Sequence, residues 1–285
     1  ESGAARCPAR MASDAVPARL NGMAIASGVG LSKRDTTRTT VSLPRQVAIV
    51  LGAVTAYFLV RGATEGSVSQ AVHNAHQVMN FERAIGLDIE RSLQSAVTAL
   101  PGTTTLLNWI YIWGHWPVIA VTLVWLARRH PLVYYRTRNA MLVSGAVGLV
   151  VFISFPVAPP RLAELGMVDT VSVGSHAYRV LQPAMFTNQY AAMPSLHVGW
   201  DLLIGLAIFV AARHPLVRAV GVAAPVAMTI SVVLTANHYI VDAIVGGTLT
   251  AICWVACRRW SDRYGLPERR KHKAMVGSLP VGQGI

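Results

Sequence analysis

The chain has 285 residues, 53% of them hydrophobic and only 13% charged, with a mean hydropathy of +0.45. That is too apolar and too poorly charged for an ordinary soluble domain. Its formal charge of +12 would suit nucleic acid, but the Lys and Arg residues lie in the connections between apolar runs. That distribution excludes a nucleic-acid partner and points to a membrane.

In chain order, residues 1–44 are rich in Ala, Arg, Ser and Thr and lack a sustained apolar run. They are expected to be a disordered extension, or upstream sequence before a start at Met11 or Met23. The weak stretch Met23–Leu31 is interrupted by Gly28 and Gly30, so no signal peptide is assigned. A six-span membrane domain is expected over 45–260, with spans near 46–61, 104–127, 139–157, 196–212, 216–236 and 240–258. The fold class is therefore all-α and polytopic.

Between the first two spans, Val68, Ala71, Val72, Ala75, Val78, Met79 and Phe81 recur at helical spacing among polar residues. A second such run covers 85–93. Both predict amphipathic helices at the outer interface. Span two opens with the aromatic cluster Trp109, Tyr111, Trp113 and Trp116, which suits an interfacial belt, and Pro117 predicts a kink. His115 within it either binds a substrate phosphate or satisfies a partner in the bundle. The connection 158–194 contains Pro159, Pro160, Pro183 and Pro194 and reads as loop with at most short helix. A basic tail follows from 261 to 285.

Twenty of the 25 Lys and Arg residues fall at the two ends and between spans two and three and spans four and five. By the positive-inside rule those segments are cytoplasmic. The other connections, with Arg161, Ser195, His197 and His238, then face outward. The expected location is the cell membrane, specifically a bacterial inner membrane. Cys7, Cys253 and Cys257 have no metal-ligand spacing and imply no disulfide framework.

The chemistry-bearing residues stand at the mouths of two spans. Pro194-Ser195 is a helix-start signal that puts His197 in a first turn, near the positive end of the helix dipole, where phosphate binds readily. His238 and Asp242 are four apart and share a face if both are helical. A carboxylate on one imidazole nitrogen fixes the other as a free lone pair, able to attack phosphorus. His197 can serve as the acid for the departing alkoxide. Arg161, the helix start at Ser195 and His115 can surround the phosphate oxygens. Asp201 lies one turn below His197, about 6 Å deeper. A charged Asp at mid-membrane costs about 2.5–3.5 kcal/mol, so it is expected either to face a polar cavity and help choose a hydroxyl acceptor, or to hydrogen-bond a neighbouring span. No cofactor and no metal are expected.

The stretches Phe155-Pro156-Val157-Ala158-Pro159-Pro160-Arg161, Pro194-Ser195-Leu196-His197 and His238-Tyr239-Ile240-Val241-Asp242, in that order, resemble the type-2 phosphatidic acid phosphatase superfamily. Within it they are most similar to the inositol phosphorylceramide synthase branch. The resemblance implies His238 as nucleophile, Asp242 as its orienting partner and His197 as acid. It also implies a membrane phospholipid or lipid phosphate as substrate, with a polyol such as inositol as a possible acceptor. The chain departs from the superfamily's phosphatases at Ser154, Leu196 and Val232, where they carry Lys, Gly and Arg. Two phosphate-binding cations are thereby absent, a loss the synthase branch largely shares. A transporter relaying protons through intramembrane His and Asp is the competing reading. It lacks the internal repeat such folds show.

Overall fold

The computed structural model describes residues 41–63, 67–170 and 189–264. The expected disorder of the N-terminal extension, most of the basic tail, and Arg179 and Pro183 in the long connection lie outside the described residues. Among the described residues the protein is built of helices: α1 (Leu43–Ala63), α2 (Val68–Ala84), α3 (Glu90–Thr98), α4 (Thr103–Trp113), α5 (Trp116–Arg129), α6 (Pro131–Ser154), α7 (Leu196–Ala211), α8 (Pro215–Leu234) and α9 (Ile240–Tyr264).

Three of them, α6, α8 and α9, are each long and apolar enough to cross a membrane. The pair α4 and α5 would make a fourth span together, whereas α7 and the Leu43–Tyr57 stretch of α1 are apolar but shorter. The expected kink at Pro117 is a full break of 41° just upstream, between Trp113 and Trp116. The residue that leaves helical backbone is His115 (φ −91°, ψ −83°), while Gly114 before it stays helical and leaves no room for a Cβ, which would come 2.4 Å from the Ile110 carbonyl oxygen. Pro117 then occupies the first turn of α5, where its missing N–H costs no hydrogen bond.

The helix α7 is the hub, packing against α5, α6, α8 and α9. Small residues permit the close approaches. A Cβ on Gly205 would meet the Gly221 carbonyl oxygen on α8 at 2.2 Å, and one on Gly246 of α9 would meet the Ser195 carbonyl oxygen at 2.1 Å. Van der Waals packing through such stripes is the main attraction between helices in an apolar solvent.

The first amphipathic run forms α2 as expected, whereas the second, expected over 85–93, turns through Gly86 (φ 75°) and becomes helical only at Glu90–Thr98. The face of α2 made by Ala71, Ala75, Val78 and Met79 is buried against Val157, Ala158, Ala192 and Tyr239. The described part of the connection after α6, residues 155–170 and 189–195, carries a short 3₁₀ turn at Pro160–Leu162 and is tied down by hydrogen bonds. Asn74 Nδ2 donates to the Pro156 carbonyl at 2.8 Å, and the Gln94 side chain exchanges two bonds with the Val168 backbone at 2.8 and 2.9 Å. Val157 and Ala191 form an isolated parallel bridge that brings the segment before α7 alongside. These bonds hold the connection against α2, α3 and the segment before α7, and the Tyr239 hydroxyl, donating to the Ala158 carbonyl at 3.1 Å, ties it to the turn that carries His238.

Candidate active site

Ser195 is the N-cap of α7, its Oγ accepting from the Val198 N–H at 3.4 Å. The cap is fully buried, so its hydroxyl shapes the helix start on which His197 rides in the first turn. The Ser195 N–H donates to the Asp242 carbonyl oxygen at 3.0 Å, which locks the mouths of α7 and α9 together.

His238 precedes α9 by two residues, in the turn that ends α8. There Ala236 adopts a left-handed conformation (φ 55°) and the N–H groups of Asn237 and His238 both return to the Val232 carbonyl. Arg161 latches this turn. Its backbone N–H donates to the Ala236 carbonyl at 3.1 Å, its Nε to Asn237 Oδ1 at 3.0 Å, and its Nη1 to Asp169 Oδ2 at 3.0 Å. The guanidinium is thereby oriented immediately beside the His238 residue.

The wiring of His238 differs from the simple helical pair expected from spacing. Its Nδ1 lies 2.8 Å from the Ala192 carbonyl oxygen and 3.4 Å from Asp242 Oδ2. Asp242 Oδ2 also accepts the Tyr239 N–H at 3.0 Å, so the carboxylate caps its own helix start as well as facing the imidazole. A carbonyl can only accept, so Nδ1 carries the proton and Nε2 keeps its lone pair. The tautomer expected from sequence is reached with a second acceptor that the motif does not contain.

His197 and His238 have ring centroids 5.8 Å apart, and Tyr111 lies 4.8 Å from His197. His115, at the α4–α5 break, lies 4.6 Å from His197 on another side. Its Nδ1 is 2.7 Å from Asp201 Oδ1, both side chains being almost wholly buried. All seven residues singled out from sequence thus fall within one neighbourhood where α4, α5, α7 and α9 begin or end. Three imidazoles, two carboxylates and a guanidinium meet there, a composition suited to a phosphate ester and its proton transfers.

A family model described as the PAP2 superfamily matches residues 76–256. The chain belongs to the PAP2 superfamily. Comparison with curated proteins and with solved structures gives no match to either. PAP2 membership makes this a phosphatase-type phosphoesterase of a superfamily that generally acts on lipid phosphates, and its apolar helices are those of a membrane protein.

Behind the PAP2 third motif lies a group that sequence reasoning missed. Glu82 of α2 and Glu90 at the start of α3 are fully buried. Glu82 Oε1 accepts the Val241 N–H at 2.7 Å and Glu90 Oε1 the Ile240 N–H at 3.3 Å. The pair supplies acceptors to the first turn of α9, whose N–H groups have no partner within the helix. Burial, then a hydrogen bond to Glu90, pushes the Glu82 carboxyl up to about 9, against the opposing Val241 N–H. Glu82 therefore keeps its proton at neutral pH, and its Oε1 still accepts from the helix start. Their trace in the sequence is faint: Glu82 directly follows the first amphipathic run and Glu90 stands within the second.

Proposed function

We propose that this protein is an integral membrane lipid phosphoesterase working through a phosphohistidine on His238. The observation that carries the reading is the fixed tautomer of His238, with Nδ1 engaged by Ala192 and Asp242, next to a second imidazole at a helix start. His238 Nε2 attacks the phosphorus, and the ester bond to the lipid or headgroup oxygen breaks. His197 gives that oxygen its proton, and Asp242 stabilises the positive charge that builds on His238. Arg161 and the α7 helix start that Ser195 caps offset the charge on the phosphate oxygens, in place of the cations absent at Ser154 and Val232. Water or an alcohol then resolves the intermediate. With an alcohol the enzyme is a transferase, and an inositol-like polyol is the acceptor suggested by the likeness to inositol phosphorylceramide synthases.

Six crossings, with α1, α4–α5, α6, α7, α8 and α9 as the spans, follow from the same reading. So does an outward-facing site in a bacterial inner membrane, supported by the placement of basic residues at the opposite ends of the helices. The test is incubation of the purified protein with phosphatidic acid labelled at phosphorus, followed by an alkaline quench. Label bound to the wild type and absent from His238→Ala is expected. Full turnover by a correctly inserted His238→Ala protein refutes the mechanism.

A further inference from the structure

His115 and Asp201 are separated by 86 positions, yet they form a second imidazole–carboxylate dyad built like the first. The chain goes to some length to make it. A helix pair is broken by 41° in apolar surroundings to bring His115 to the level of His197, and the His115 backbone (φ −91°, ψ −83°) leaves the helical region to do so. Broken helices at membrane depth are tolerated where they line a polar site. Stability alone does not explain the pair, since a buried ion pair is often no better than apolar side chains of the same volume.

The ring is also held firmly. Trp200 stacks on it at 6.2 Å with an interplanar angle of 4°, Trp116 meets it edge-on at 5.0 Å, and Trp200 is itself fixed by an Nε1–H bond to Ser144 Oγ at 3.2 Å. An ionised Asp201 only accepts, so it takes the His115 Nδ1–H, and Nε2 of the neutral imidazole then retains its lone pair. Each dyad therefore presents a fixed unprotonated nitrogen, and His197 lies between the two, 4.6 Å from one ring and 5.8 Å from the other.

We propose that His115, oriented by Asp201, is the general base for the second half-reaction, accepting the proton of the water or alcohol that resolves the phosphohistidine. The inference rests on the phosphohistidine reading above. In the first half His197 protonates the departing oxygen. In the second, the incoming oxygen bonds to phosphorus, the P–Nε2 bond to His238 breaks, and its electron pair returns to that nitrogen. The hydroxyl proton passes to His115 Nε2, giving an imidazolium paired with Asp201, and then returns to the adjacent His197 for the next cycle. His115 touches the nucleophile, whereas Asp201 is a positioning residue acting through it.

The two half-reactions separate the dyad from a structural pair. Wild type, His115→Asn and Asp201→Asn are each mixed with phosphatidic acid labelled at phosphorus, in mixed micelles, and quenched in alkali at successive times. Both variants are expected to take up label at close to the wild-type rate and amplitude, and to discharge it roughly 10²–10⁴-fold more slowly, so that phosphoenzyme accumulates. The burst amplitude reports the correctly folded fraction. Asp201→Asn, which preserves size, carries the test if His115→Asn loses its burst. Formation and discharge slowed together in both variants, or a burst lost from both, shows a structural pair and overturns the proposal. Unaltered discharge overturns it too. Turnover without label on any protein, wild type included, refutes the phosphohistidine reading and this proposal with it.

Discussion

Glu82 offers a sharp test of how the helix carrying Asp242 is held. Glu82→Leu keeps most of the side-chain volume but removes the acceptor for the Val241 N–H, which lies 2.7 Å away in a fully buried position. A buried donor left without its partner costs about 1–3 kcal/mol, and the loss falls within one residue of Asp242. Glu82→Gln is the matched control, because its carbonyl oxygen still accepts from Val241 and its amide is uncharged, as the protonated acid is. The acid's pH behaviour has a definite sign. With the folded carboxyl at about 9 against an ordinary 4.5, the folded protein keeps a proton that the unfolded chain releases. The stability this contributes is full below about pH 4.5 and is lost progressively as pH climbs to about 9. Beyond that, the ionised Glu82 faces the charges of Glu90 and Asp242. Melting followed by tryptophan fluorescence in detergent, between pH 5 and 9.5, should show a downward trend in the wild type that flattens in Glu82→Gln. Glu82→Leu should be less stable at neutral pH and lose turnover. Equal stability of the Leu and Gln variants, or an unchanged pH trend in Glu82→Gln, refutes the account of Glu82 as a protonated, buried acceptor.

Other consequences are open to measurement. His197→Ala should slow phosphoenzyme formation by roughly 10²–10⁴-fold while His238→Ala abolishes it, and stopped-flow quench of labelled lipid phosphate separates the two. Arg161→Lys cannot reproduce a fork that bonds Asn237 and Asp169 together; kcat/KM should fall, and a wild-type value would remove Arg161 from the site. Gly246→Ala drives a Cβ to 2.1 Å from the Ser195 carbonyl oxygen. Because backbone cannot yield as a side chain would, α7 and α9 should part and the detergent-solubilised protein should lose both activity and its sharp melting transition. For sidedness, cysteines at the exposed positions Val168 and Arg129, in a protein whose three native cysteines are serine, should react differently with an impermeant thiol reagent. Position 168 should label from outside and 129 should not; the reverse pattern refutes the proposed topology.

The helices and their order were legible because hydropathy and periodicity are local. A run of apolar residues must be a helix in a bilayer whatever it packs against, and the face of α2 is written in the spacing of Ala71, Ala75, Val78 and Met79. The helix start at Ser195 was legible too, since an N-cap depends on neighbours within three residues. His197, His238 and Asp242 could be chosen from chemistry and spacing alone. Sequence placed the bend of span two at Pro117, and the break falls just upstream of it, at His115, whose departure from helical backbone only the folded chain shows.

What the chain's order could not reveal is which groups complete the site. The acceptor nearest His238 is the backbone carbonyl of Ala192, and a carbonyl leaves no mark in a sequence. Glu82 and Glu90 reach α9 across about 150 residues, so their role exists only once the two amphipathic helices fold back beneath the third motif. Asp201 was recognised as costly at its depth, but its partner was decided by the break that swings His115 against α7. Local interactions fix elements from neighbouring residues. Burying charged and hydrogen-bonding groups in an apolar interior forces them to find partners wherever packing brings them, and only the tertiary structure selects those partners.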